Sequence, residues 1–252
     1  MHQNLIKKFT SLSYAKYRKL HNQFIVEGEH CVKELVKSNW DITQIITSES
    51  VRYRFLDDLV DNKQILQTVE PKIIKKIATT KTPQDIIAIA SIPEHDFDII
   101  TNFNKILITD SIKDPGNMGT IIRSAAAFGF DAIITVNDSV DIYNPKVVRA
   151  TQGAMFHIAV FPNMVLKSVK SILRENYSIF ALLSEGETKL ENIEIPEKAT
   201  LIIGSEIDGV SPGLFGIAHH RVKIPMTNKV ESLNAAVAAS IAMQKLGDCE
   251  IG

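Results

Sequence analysis

The sequence is poor in the residues that cross-link small proteins or bind structural metals. Its 252 residues include only two cysteines, Cys31 and Cys249, which lie far apart and form no C-x-x-C pair. A disulfide framework or a metal site is therefore not expected. No apolar run approaches the roughly 20 residues that a membrane-spanning helix needs. The first residues also lack the apolar stretch and cleavage site of a secretory signal, so a cytoplasmic protein is expected.

A strong excess of charge of one sign is absent too, since 28 basic and 29 acidic residues leave a net charge of −1. The basic residues are nevertheless unevenly placed, because the first 40 residues contain seven of them against three acidic ones. A second basic cluster consists of Lys72, Lys75, Lys76 and Lys81. Concentrated positive charge attracts a polyanion even on a near-neutral molecule. A solvated helix face has the same pattern, so charge alone leaves both interpretations open.

The order of apolar patterns predicts two domains, residues 1–92 and 105–252, joined by a linker over 93–104. The first domain is expected to be a small α/β unit. Its predicted elements are helix Leu5–Leu20, strand Phe24–Val26, helix His30–Ser38, strand Ile42–Thr47, a helix from Pro71 and strand Ile86–Ala90.

In the second domain short aliphatic runs alternate with helical patterns. Such alternation indicates a parallel sheet covered by helices on both faces. The predicted strands are Ile106–Thr109, Ala132–Val136, Ile179–Leu183, Leu201–Ile203 and Val222–Ile224. The predicted helices are Met118–Phe128, Pro145–Ala154, Val165–Asn176 and Leu233–Leu246.

Three polar segments follow predicted strands, where ligands bind in parallel α/β sheets. They are Asp110–Gly119, Gly204–Pro212 and Pro225–Asn234. Taken singly, Asn117, Ser211, Ser232 and Asn234 are explained as helix caps. Glu206 follows an apolar strand, so it is expected to be partly buried and to need a partner. Arg123 is the candidate partner, although a lone arginine on an apolar helix also simply reaches for solvent.

Together the segments resemble the three motifs of the SpoU (TrmH-like) family of RNA ribose 2′-O-methyltransferases. The first domain resembles the substrate-binding module found before such catalytic domains. The segments that carry the resemblance are Asp114–Ala125, Pro145–Phe156, Gly204–Pro212, Arg221–Met226 and Val230–Ala239, with Phe24–His30 and Thr80–Asp85 in the first domain.

The resemblance implies an α/β fold whose second domain is a deep trefoil-knot (SPOUT) methyltransferase domain with a parallel sheet, an exception to the rule against threaded chains. It implies an L30e-like, ribosomal-protein-like α/β first domain. It further implies S-adenosylmethionine as cofactor and a homodimer. By motif position the cofactor contacts are Gly204, Ile224, Met226 and Leu233, and the catalytic residues are Arg123, Glu206, Asn117, Ser232 and Asn234. No G-x-G-x-x-G follows a strand, which disfavours an ordinary dinucleotide site.

A ribose hydroxyl is a weak acid, so its developing charge must be stabilised. We expect Arg123 to grip the target phosphate and stabilise the alkoxide, because a guanidinium hardly deprotonates. Glu206 is expected to orient Arg123 through paired hydrogen bonds. The general base is left open, and so is whether Arg123 acts in its own or the partner's site.

Ribosomal RNA is the favoured substrate because of the fused first domain, with transfer RNA as the alternative. Two other functions stay open: a non-catalytic RNA-binding protein, and an enzyme that methylates a base nitrogen. The alanine-rich final helix is either a core helix or a subunit contact. The sequence departs from the family pattern at Ile207-Asp208 and at Asn228-Lys229, which leaves the geometry of those loops open.

Overall fold

The computed structural model describes residues 2–59, 65–94, 96–227 and 229–247. Contacts divide the chain into two compact units, Met1–Glu94 with Asp141–His157, and His95–Val140 with Ile158–Gly252. Among the described residues no helix has both the length and the apolar character needed to cross a bilayer.

The first unit is built on a sheet whose described strands are ordered β1-β4-β2-β3. These strands are β1 (Gln23–Glu27), β2 (Ile42–Ser48), β3 (Leu66–Val69) and β4 (Ile86–Ser91). Both β1 and β2 pair antiparallel with β4, while β3 joins β2 in parallel. Three of the strands confirm sequence predictions, and β3 was not predicted because its four residues carry no clear alternation.

Helices of the first unit pack against this sheet or against one another. They are α1 (His2–Ser11), α2 (Ala15–His21), α3 (Glu29–Lys37) and α4 (Pro71–Ile77), with a 3-10 turn at Arg54–Leu59. The single helix predicted over Leu5–Leu20 is wrong, because the chain breaks between α1 and α2. At the break, Arg18 Nη1 donates to the carbonyl oxygens of Leu12 and Ser13 at 2.8 Å each. These bonds replace the helical partners that the two carbonyls lose.

The second unit contains a wholly parallel sheet, as predicted, with its described strands ordered β7-β6-β5-β10-β8-β11-β9. The strands are β5 (Lys105–Asp110), β6 (Ala132–Val136), β7 (Ala159–Met164), β8 (Ser178–Leu182), β9 (Thr188–Lys189), β10 (Ala199–Ile203) and β11 (His220–Lys223). Every residue of β5, β6 and β10 is buried. Strand β7 was not predicted because Pro162 interrupts it, and an edge strand tolerates proline.

The remaining helices begin after strand ends. They are α5 (Pro115–Ala127), α6 (Pro145–Ala150), α7 (Leu166–Asn176), α8 (Pro212–Phe215) and α9 (Ala235–Leu246). All but α6 belong to the second unit. Val169 and Leu173 of α7 pack in one core cluster with strand residues of β5, β6 and β10, whereas α9 packs against β10 and α5. The region predicted as a linker holds a 3-10 turn, Phe97–Asn102, with Ile100 buried.

The segment 141–157 returns from the parallel sheet to the first unit. Asp141 Oδ2 accepts from Arg18 Nη2 at 2.6 Å, and His157 Nε2 lies 2.9 Å from Glu34 Oε2. Helix α6 is shorter than the predicted Pro145–Ala154, because Gln152 and Gly153 take positive φ angles of 51° and 84°. The domain boundaries predicted from sequence run consecutively along the chain and contain no such return.

Candidate active site

Asp110 lies at the carboxyl end of β5 and fastens two loops together. Its buried carboxylate accepts from Ser211 N at 2.7 Å and from Asn137 Nδ2 at 2.5 Å. Ser211 directly precedes α8, and Asn137 follows β6 with a φ angle of 53°. The loop that follows β10 is therefore tied to the central strand beside it.

The segment after β10 forms a tight turn. Ser205 and Gly209 form an antiparallel bridge, and Asp208 N donates to Ser205 Oγ at 2.9 Å. A Cβ on Gly204 would lie 2.1 Å from the backbone carbon of Gly209, so only glycine fits where the two arms of the turn meet. At its tip Ile207 is 93% exposed. The departure at Ile207-Asp208 is thus accommodated in a closed turn, whereas Asn228 lies outside the described residues.

Helix α5 begins at Pro115, three residues before the predicted start at Met118, and Asn117 is not its cap. Asp114 takes that role, since its Oδ1 accepts from Asn117 N at 2.8 Å. The Asn117 side chain is thereby released to bond elsewhere. Its Nδ2 donates to Glu206 Oε1 at 2.5 Å, and its Oδ1 accepts from Asn234 Nδ2 at 3.0 Å. One residue from each of the three sequence motifs thus meets in one hydrogen-bonded network.

Asn234 and Glu206 also hold the start of α9. Asn234 Oδ1 caps the helix by accepting from Ala236 N at 3.0 Å and Val237 N at 3.3 Å. Glu206 Oε1 accepts from Ala235 N at 3.3 Å, where the positive end of the helix dipole favours a carboxylate. The prediction that Glu206 is partly buried is wrong, because the residue is exposed. Its hydrogen-bond donors are the side-chain amide of Asn117 and the backbone N–H of Ala235, and neither requires the carboxylate to be buried.

Beside this network lies a cavity of about 330 Å³. Its walls combine the 204–209 turn with the chain after β8 and β11 and the start of α9. All four residues predicted to contact a cofactor line it, namely Gly204, Ile224, Met226 and Leu233, together with Glu206 and Ser232. The cavity lies at the low end of the range of small-molecule sites, roughly 300–1,000 Å³.

Arg123 is not brought into this cavity within the chain. It is exposed on α5, and its side chain makes no hydrogen bond or ion pair with another described residue. The predicted pairing with Glu206 is therefore not made within this chain, where Glu206 bonds Asn117 instead. Arg123 lies six residues beyond Asn117, which places the two side chains about 120° apart around the helix.

Several residues of the site were not singled out from sequence. Asp110 was the first residue of a noted segment but received no role, and Asp114 was part of a motif. The carboxylate directly after a buried parallel strand was the available signal for Asp110. Leu182, Leu183 and Ser184 also line the cavity, but nothing in their sequence context marks them.

A model of the SpoU rRNA methylase family matches residues 104–244, more than half of the chain. The chain belongs to the SpoU rRNA methylase family. A second family model, the MRM3-like substrate binding domain, matches residues 3–88. The resemblance drawn from the sequence motifs is thereby confirmed in both parts of this SpoU methylase.

Among the relatives of this SpoU methylase is the 23S rRNA (guanosine(2553)-2′-O)-methyltransferase RlmP of Bacillus subtilis. It is 32% identical over 241 residues, covering 96% of this chain and 95% of the relative. A solved structure assigned to the TrmH family of RNA methyltransferases, from Porphyromonas gingivalis, has a TM-score of 0.84 at 28% identity over 96% of both chains. An AdoMet-bound rRNA methyltransferase from Sinorhizobium meliloti has the same fold, with a TM-score of 0.85 at 24% identity over 96% of this chain and 93% of that one.

Proposed function

We propose that this protein transfers a methyl group from S-adenosylmethionine to a ribose 2′-hydroxyl of ribosomal RNA. The observation that carries the proposal is the meeting of Asn117, Glu206 and Asn234 at the edge of a cavity lined by the expected cofactor residues. The Bacillus subtilis relative, whose name states this reaction on 23S rRNA, aligns over 96% of the chain.

The cavity fits the proposed cofactor in character. Leu182, Ile203 and Leu233 supply apolar wall, and the close approach at Gly204 leaves backbone groups rather than side chains at the turn. Gly204, Ile224, Met226 and Leu233 are the residues that would hold S-adenosylmethionine. When bound, that cofactor supplies an electrophilic methyl group, so the protein has only to position and activate the hydroxyl.

Glu206 is proposed to orient the reacting groups. One of its oxygens, Oε1, is engaged by Asn117 and Ala235, while Oε2 makes no hydrogen bond with another described residue. That free oxygen is available to a hydroxyl or a guanidinium group. Ser232 lines the cavity with an exposed hydroxyl and is proposed to contact the nucleotide. Which group takes the ribose proton is left open by these contacts.

We propose that Arg123 acts in the cavity of a partner subunit. Helix α9 carries two exposed apolar side chains, Val237 at 49% and Ile241 at 40% exposure. It is joined to α5, the helix of Arg123, by a 2.8 Å hydrogen bond between Ser124 and Ser240. An apolar face beside an unpaired arginine supports a homodimer in which that arginine reaches across.

Mixing two inactive variants tests the shared site. Random exchange of Arg123→Ala and Glu206→Ala subunits makes half of the dimers mixed, with one intact site in each, so about a quarter of the wild-type activity should return. No recovery after verified exchange would assign both residues to the same subunit's site. A protein that sediments as a monomer at assay concentration would contradict the dimer itself.

Ribosomal RNA is preferred over transfer RNA because the name of the Bacillus subtilis relative specifies 23S rRNA. Relatives from Staphylococcus are named for both RNA classes at 28% and 29% identity, which keeps transfer RNA as the second candidate. Because both kinds of RNA are found in the cytoplasm, we propose that the protein acts there.

The decisive assay uses the purified chain, tritium-labelled S-adenosylmethionine and total RNA from a strain that lacks the gene. Digestion to nucleosides should yield label in a 2′-O-methylribose, in the ribosomal RNA fraction. Label in a methylated base would replace the proposal by base methylation. Absence of transfer with RNA binding retained would support a non-catalytic RNA-binding protein.

A further inference from the structure

The first 26 residues of the chain contain five basic residues and no acidic one. The buried Arg18 is neutralised by Asp141 and contributes nothing to the surface. The other four, Lys7, Lys8, Lys16 and Lys19, are all exposed on α1 and α2. A protein with a net charge of −1 therefore carries a concentrated positive surface on these two short helices.

The same surface exposes aromatic rings. Tyr14, between the two helices, is 67% exposed, and Tyr17 on α2 is 38% exposed. The Tyr17 ring stacks on His21 at 6.4 Å between centroids and has Lys16 Nζ at 6.0 Å. Tyr14 makes no ring contact or side-chain hydrogen bond with another described residue. A ring exposed to this extent offers a face that a ligand can contact.

These groups border an open groove of about 750 Å³ on the first unit. Its walls include Lys7, Lys8, Ser13, Tyr14, Tyr17 and His21. Proteins that bind single-stranded nucleic acid combine a basic groove along the backbone with aromatic rings on which bases stack. A second copy of this chain is a poor occupant, because the lysines of the two copies would face each other.

We propose that the α1–α2 groove binds an unpaired stretch of the substrate RNA, with a base stacked on Tyr14 and phosphates held by Lys7 and Lys8. The proposal rests on the proposed function and adds to it the place and the form of the RNA bound by the first unit. Unpaired bases are required because a paired base offers no free face to a side chain. The groove thus selects RNA that has exposed bases. Its lining residues differ from those of the cavity proposed for methyl transfer.

The test measures binding of the full chain to a fluorescent single-stranded 12-nucleotide RNA and to a duplex of the same length. Tyr14→Ala removes no capping bond, because Tyr14 precedes α2 without a side-chain hydrogen bond. This variant should weaken single-strand binding about fivefold or more, whereas Tyr14→Phe keeps the ring and should stay near wild type. Duplex binding should not change, because stacking is not available there.

The lysines are tested by the salt dependence of the same binding. Lys7→Gln with Lys8→Gln should lower the slope of log affinity against log salt by about 0.7 for each phosphate that is no longer neutralised. Lys167→Gln with Arg174→Gln removes the same number of charges from exposed positions of α7 in the second unit and should leave the slope unchanged. An unchanged slope in the double variant would remove the phosphate-binding role of these lysines from the proposal.

Methyl transfer by the same variants separates the two proposals. Tyr14→Ala should raise the RNA KM by a factor similar to its binding loss and leave kcat unchanged. Wild-type binding and KM in Tyr14→Ala, with methyl transfer intact, would overturn the groove and keep the proposed function. Binding that depends on Tyr14 in a chain that methylates no RNA would keep the groove and overturn the function.

Discussion

Two polar regions of the molecule use their charged groups in opposite ways. The anchor, formed by Arg18, Asp141, Glu34 and His157, fastens the 141–157 segment within the first unit. Arg18 makes four hydrogen bonds there and is 3% exposed. The rim, formed by Asn117, Glu206, Ser232 and Asn234 beside the cavity, leaves hydrogen-bonding atoms unused among the described residues, and so does the exposed Arg123 on α5. A side chain such as Arg18, which makes several hydrogen bonds within the protein, stabilises the fold. A side chain such as Glu206, which keeps an oxygen without such a bond, is available to a substrate.

Breaking the anchor should give the largest effect on stability. Arg18→Met leaves Asp141 and the carbonyl oxygens of Leu12 and Ser13 without their donor, which should lower the free energy of unfolding by about 3–5 kcal/mol. Denaturant unfolding of the full chain measures the loss. Lys72→Met removes one member of an exposed pair, with side chains 66% and 51% accessible, and should cost less than about 1 kcal/mol. Equal losses of unfolding free energy in Arg18→Met and Lys72→Met would contradict the claim that the anchor stabilises the fold more than an exposed ion pair does.

Removing the side chain of Arg123, which we propose to act in the partner's cavity, should abolish most activity and leave stability unchanged. Arg123→Ala should lower kcat at least about 100-fold, the effect of losing one donor that stabilises a developing oxyanion. Its free energy of unfolding should stay within about 0.5 kcal/mol of wild type because the side chain is exposed. Arg174→Ala, also exposed on a helix of the second unit, serves as control. Wild-type turnover by a folded Arg123→Ala chain would remove Arg123 from the site.

The turn beside the rim gives a smaller effect confined to cofactor binding. Gly204→Ala places a Cβ 2.1 Å from the Gly209 backbone, so the turn must open. Calorimetry should show S-adenosylmethionine binding weakened about tenfold, close to 1.4 kcal/mol. Gly216→Ala, where the nearest contact is Pro212 O at 3.3 Å, should bind the cofactor as wild type does. Unaltered binding in Gly204→Ala would place the cofactor away from this turn.

The smallest effect concerns Glu34 of the anchor and depends on pH. The hydrogen bond from Lys37, and then that from His157, holds the pKa of Glu34 below its usual value. A lowered folded-state pKa stabilises the protein above the usual carboxyl pKa, and the gain disappears as pH falls through the lowered value. Glu34→Gln should therefore cost less than about 1 kcal/mol at neutral pH and nothing in acid.

Urea unfolding at several pH values measures this difference. Glu175→Gln, exposed on α7, should show no such dependence. A Glu34→Gln difference that is constant with pH would mean that shape rather than charge holds His157 in place.

The sequence was a good guide wherever information is local in the chain. Five of the seven described strands of the second unit are predicted from aliphatic runs, since a strand buried on both faces needs apolar side chains on both. The motifs predict Asn117, Glu206 and Asn234 as site residues, and hydrogen bonds join the three in the structure. Side-chain pairing was harder to predict. Glu206 was expected to pair with Arg123, which has the opposite charge, but in the structure it accepts a hydrogen bond from the Asn117 amide. The Asn117 side chain can make this bond because Asp114, rather than Asn117, caps helix α5.

What the sequence alone determined is the family, most of the strands and helices, and the motif residues proposed for the site. Hydrophobic periodicity and motif spacing are properties of neighbouring residues in the chain, so they can be recognised without a three-dimensional structure. The tertiary structure decided that Arg18 is buried while Arg123 is exposed. It also decided that Asp141–His157 belongs to the first unit, and that Tyr14 and Tyr17 are exposed beside lysines. Burial and pairing depend on residues more than 100 positions apart, and that distance is closed only when the chain folds.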